Sequence, residues 1–163
     1  MIETTASPQS ASNGQRSLQS LLPFMQMLGY GGLLPFFALS LISVFANAGE
    51  IQQIAQKGLL FYTVSIISFV GAVSWGLALA MHELSGLQRT RLLLWSVVPS
   101  LLAVAAALLN GRFAIFGLMA AVSLAYWMDR LHGRQMGFPQ AWIRLRLQLT
   151  LGVLVALAIA LLA

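Results

Sequence analysis

The sequence predicts an all-α fold: a polytopic helical membrane protein with five transmembrane helices in a compact bundle. Two observations carry this. Of the residues, 59% are hydrophobic and only 8% charged, whereas an ordinary soluble domain carries about a quarter charged residues. The apolar residues also come in long runs rather than in the stripes of a soluble amphipathic fold, and a bilayer core selects such runs. A transmembrane barrel does not fit, because its strands would alternate apolar and polar residues over roughly ten positions. The chain has no cysteine, which excludes disulfides and thiolate metal sites.

Residues 1–21 are polar and rich in Ser, Gln and Thr. They have too little apolar area to order themselves and read as a flexible cytoplasmic tail. They also lack the basic start and short apolar core of a secretory signal. The transmembrane domain then covers residues 22–163. Span one runs over about 24–46 and is entered through Pro23, whose missing N–H suits a first helical turn. Its "LGYGGLLPFF" stretch (Gly29, Tyr30, Gly31, Gly32, Pro35) is no dinucleotide loop, since no strand precedes it and no acid follows at the required distance. Glycine and proline here predict a kinked or closely packed helix.

Span two covers about 58–81, span three about 92–109 and span four about 113–128. Asn110, Gly111 and Arg112 separate the last two as a tight hairpin. Pro99 predicts a bend in span three, with Ser96 and Ser100 placed to help satisfy the freed backbone. Span five begins near Pro139 and covers about 142–163, its membrane part starting near Leu147. The alternating stretch from Ile143 to Leu149 mimics a strand. A lone strand at a membrane surface has unpaired backbone groups, so it reads as helix. Trp142 then anchors at the headgroups, and Arg144 and Arg146 snorkel toward the cytoplasm.

The net charge of +5 lies in short loops between apolar runs. It therefore points to lipid headgroups rather than to nucleic acid. With five spans, Arg16, Arg89, Arg91, Arg130, Arg134, Arg144 and Arg146 share one side, and only Lys57 and Arg112 the other. Basic residues stay inside, which predicts a cytoplasmic N-terminus and a periplasmic C-terminus.

Three groups of residues bear on function. No ionisable residue lies well inside the predicted spans, which weakens a pump or proton-coupled reading. Small residues form stripes at helical spacing: Ser65, Ser68, Ala72, Gly76 and Ala80 on span two, and Ala114, Gly117, Ala121 and Ala125 on span four. Gly152, Ala156 and Ala160 do the same on span five. Close backbone approach over such stripes supplies packing energy in lipid, so Ser68, Ala72, Gly76, Ala80, Gly117 and Ala121 are candidate helix contacts. The same stripes suit homodimerisation, although an alanine-rich chain also produces them by chance. Trp75 and Ser74 lie near mid-membrane, where packing against neighbouring helices is expected of Trp75 and a bond to its own backbone of Ser74.

The third group is His82, Glu83, Asp129 and His132, which the topology gathers at one end of the bundle. Two imidazoles and two carboxylates suit a divalent metal. They suit equally well polar helix ends at a wet interface, partnered by Arg89, Arg91 and Arg130. The spacing lacks the His-Glu-x-x-His pattern of a zinc hydrolase, so no cofactor and no enzymatic activity is expected.

The stretches "GYGGLLPF", "FVGAVSWGLAL", "WSVVPSLLA" and "PQAWIRLRLQLTLGVLVALAIAL" occur in an order that resembles the transmembrane-protein-69-like family (domain of unknown function 3429). The likeness extends over roughly residues 24 to 160. It implies a small inner-membrane protein of bacterial or mitochondrial type and no catalytic residues. The reading is therefore a non-enzymatic accessory or assembly subunit in contact with lipid and with a membrane-protein partner or a second copy. A small-solute transporter or channel component is the alternative, and a metal-dependent membrane enzyme the third.

Overall fold

The computed structural model describes residues 23–81, 84–135 and 138–163. The predicted tail 1–21 lies outside the described residues, as do His82 and Glu83. The chain divides into two units, Met1–Gly32 and Leu33–Ala163.

In the first unit, residues 23–31 form helix α1, closed by a bond from the Gly32 N–H to the Leu28 carbonyl. The chain leaves regular helix at Gly32 and Leu33. Glycine and proline thus interrupt span one, as their positions predict.

The second unit holds α2 (Leu34–Phe45), α3 (Glu50–Ala80), α4 (Gly86–Ala107), α5 (Arg112–Gln135) and α6 (Gln140–Ala160). Pro35 stands in the first turn of α2, where its missing N–H costs nothing. Each helix packs on the next in sequence, α6 closes back on α2, and α3 also touches α5. Loops are short. The 108–111 connection turns on Gly111, whose φ of 58° is the left-handed conformation that favours glycine. At the start of α4, Ser85 and Gln88 form a reciprocal capping box, which satisfies two otherwise unpaired N–H groups.

Among the described residues, five helices are long and apolar enough to cross a membrane: Pro23–Phe45, Glu50–Ala80, Gly86–Ala107, Arg112–Gly133 and Gln140–Ala160. Their outer faces carry large apolar side chains. Phe61, Phe69 and Leu79 are each 70% exposed. Soluble monomers rarely expose apolar surface on this scale, whereas lipid solvates it. The interior is small and tight, centred on Phe36, Leu59, Ile67, Leu118, Ala156 and Leu157. Buried hydroxyls bond to their own helices: Ser40 donates to the Phe36 carbonyl, Ser43 to Ser40 and Thr63 to Leu59. Without water in the hydrocarbon, that is the available local solution.

Three boundaries differ from the sequence expectation. α3 starts eight residues before the apolar run, at Glu50. At 31 residues it is about 46 Å long by the helical rise, more than the hydrocarbon core requires. α4 starts at Gly86 because its cap is Ser85. α5 does not stop at Met128 but continues to Gln135, which brings Asp129 and His132 inside a membrane-length helix.

Candidate functional site

Two polar features adjoin near the α5–α6 hairpin: an ion pair between α5 and α6, and a small cavity between α3, α4 and α5. That hairpin is built locally. The Phe138 N–H bonds the Gly133 carbonyl at 2.9 Å, and the Phe138 ring meets Trp142 edge-on with centroids 5.1 Å apart. α6 therefore returns antiparallel to α5, with residues 129 and 146 facing each other.

Arg146 donates from both Nε and Nη2 to Oδ2 of Asp129, the Nε bond measuring 2.8 Å. Both side chains are largely enclosed, 17% and 16% exposed. The pairing corrects two expectations. The partner of Asp129 is Arg146, not Arg89, Arg91 or Arg130. And Arg146 turns inward instead of reaching for the cytoplasmic headgroups, because a carboxylate inside the bundle offers a stronger contact than water at its rim. Arg144 is exposed and Trp142 half-buried. Arg89 reaches back to the Met81 carbonyl and so serves the end of α3.

His132 lies one helical turn beyond Asp129 on α5. Ser74 of α3, Trp95 and Pro99 of α4, and Asp129 and His132 of α5 line a cavity of about 10 Å³. Proline has no N–H to return to the Trp95 carbonyl four residues earlier. Ser96, expected to help at Pro99, donates instead to the Leu93 carbonyl. Ser74 makes no hydrogen bond among the described residues, contrary to the expected bond to its own backbone.

Of the four candidate metal ligands, Asp129 and His132 are neighbours, and Asp129 is engaged by Arg146. His82 and Glu83 lie outside the described residues. No group of three or more His, Cys, Asp or Glu side chains converges among the described residues.

The small-residue stripes divide. On α5, Ala121 is buried, and a Cβ at Gly117 would stand 2.6 Å from that of Ala106. Gly117 therefore stands at the α4–α5 contact. On α3, Ser68, Ala72, Gly76 and Ala80 are all exposed, and a Cβ at Gly76 would meet nothing within 4 Å. None of the four is buried. The packing face of α3 is the opposite one, through Ala55, Leu59, Thr63, Ile67, Gly71 and Ala78. Trp75, expected to pack, is 51% exposed on the outer side.

A family model described as "Protein of unknown function (DUF3429)" matches residues 22–162. The chain belongs to the DUF3429 family. The match spans all six helices of the described structure, so the ion pair, the cavity and the outward face of α3 all lie within the DUF3429 domain. No curated protein and no solved structure matches the chain.

Proposed function

We propose that this DUF3429 protein is a non-enzymatic accessory or assembly subunit of a membrane complex, acting through helix–helix contacts. The carrying observation is the outward face of α3. Ser65, Ser68, Ala72, Gly76 and Ala80 run along it, all exposed. Lipid tails are satisfied by large apolar side chains and give no reason for a small surface. A partner helix does, because small residues let two backbones approach. The short loops fit the same reading, since they offer little soluble surface for a partner.

The transporter reading draws on Asp129, His132 and Arg146, because ionisable groups inside spans commonly mark solute or proton paths. The space that Asp129 and His132 line favours the first reading. It holds about 10 Å³, whereas small-molecule pockets run to about 300–1,000 Å³. Solute flux in proteoliposomes tests that alternative.

The reading places the protein in the bacterial inner membrane, N-terminus cytoplasmic and C-terminus periplasmic, on the strength of the seven-to-two basic asymmetry. Reporters fused at Met1 and Ala163 then report opposite compartments, and a shared compartment overturns the topology. Gentle detergent extraction with native mass analysis tests the function. A stoichiometric complex is expected, and a clean monomer counts against the subunit reading.

A further inference from the structure

We propose that the cavity between α3, α4 and α5 is a binding site for a single structural water, shared by Ser74, Asp129 and His132 inside the membrane. Size decides the occupant. A water needs roughly 10–15 Å³ of such space and two to four polar partners, and the cavity offers about 10 Å³. The space matches a single water.

The chemistry of the lining supplies the partners. Ser74 carries a hydroxyl with no partner among the described residues, unlike Ser40, Ser43 and Thr63, which bond their own helices. Both guanidinium bonds to Asp129 end on Oδ2, so Oδ1 keeps its capacity to accept. His132 lines the same space, and an imidazole offers a donor and an acceptor nitrogen. Pro99 leaves the Trp95 carbonyl without its helical donor, and ordered water is one of the ways membrane helices satisfy such a group. Three helices thus present polar groups to one small space.

The site also accounts for Gly71. A Cβ there would lie 2.3 Å from the Ser96 carbonyl oxygen. The glycine brings α3 against α4 beside Pro99 and sets the width of the cavity.

X-ray radiolytic footprinting of the full-length protein in detergent, in which radiation splits water to hydroxyl radicals in place, tests this, with side-chain oxidation read by mass spectrometry. Met128 lines the cavity. Met119, on the same helix and also half-buried, does not. A bound water is a local radical source, so Met128 is expected to oxidise several-fold faster than Met119. Ser74→Val, which removes the hydroxyl and fills the space, is expected to bring Met128 down to the Met119 rate, while Ser74→Ala, which keeps the space, leaves the ratio raised. Equal rates at Met128 and Met119 in the native protein overturn the proposal, and this comparison needs no variant to fold. A Met128 rate unchanged in a folded Ser74→Val protein overturns it as well.

Discussion

Gly71 and Gly76 are five residues apart on one helix and live in opposite surroundings. At Gly71 the backbone of α4 is so close that a single added carbon would stand 2.3 Å from the Ser96 carbonyl oxygen. At Gly76 the same carbon would meet nothing within 4 Å. Five residues turn a helix by about 500°, a net 140°, enough to move from the packed side to the open one. The sequence around both is equally small and apolar, so composition does not tell a glycine that holds the fold from one that leaves a face free. The difference is measurable.

The largest effect is expected at Gly71. Gly71→Ala drives a side chain into a backbone carbonyl, which has no rotamer to retreat into, and α3 and α4 must separate at Pro99. Overpacking of this kind costs about 1–3 kcal/mol, and a rigid backbone obstacle puts Gly71→Ala near the top of that range. A Tm in detergent well below the parent checks it, with Gly76→Ala unchanged. If both variants melt alike, the contrast between the two faces of α3 is lost.

Next comes the ion pair. Removing one member of a buried pair leaves an uncompensated charge, at about 3–5 kcal/mol for full burial. At 16–17% exposure, Asp129→Ala falls below that range, at about 2 kcal/mol. Replacing both groups by apolar ones is commonly neutral or better, so Asp129→Leu with Arg146→Met is expected to recover most of the lost Tm. A double variant as unstable as the single one would show that Asp129 stabilises by something other than its pairing with Arg146.

This pair also marks where the sequence stopped being legible. The number of spans, the hairpin at Gly111, the interruption near Gly32 and the helical state of the Ile143–Leu149 stretch all follow from local rules of length, backbone chemistry and unpaired N–H groups. The end of α5 does not. Asp129 reads as a terminator because an isolated carboxylate is costly in a membrane helix, and its neutralising partner lies 17 residues away, across a hairpin whose register no local rule supplies. The faces of α3 failed for a different reason. In a soluble helix, polarity marks the outside. In a membrane helix both sides are apolar, and side-chain size is left as the only marker. Size gave two answers here: Gly71 belongs to the packed face, Gly76 to the open one. The start of α4 was readable in principle, since Ser85 and Gln88 spell a capping box just ahead of the apolar run.

The smallest expected effect on stability is the most informative about function. Gly76→Leu grows a large side chain from a position where a Cβ meets nothing within 4 Å. Replacing a glycine inside a helix also removes a propensity penalty of about 1 kcal/mol. The variant should therefore melt no lower than the parent, and should insert and extract as the parent does. Against a partner helix the outcome reverses. A leucine in the middle of a small-residue seam holds two backbones apart, and the contact energy that close approach supplies is forfeited. Native mass analysis of the folded variant should show the complex lost or reduced to a minor species. An Ile51→Ala change on an exposed stretch near the start of the same helix should leave the complex intact. Retention of a full complex by Gly76→Leu would move the interface away from this face. The small residues of α3 would then be a by-product of an alanine-rich sequence and carry no information about a partner.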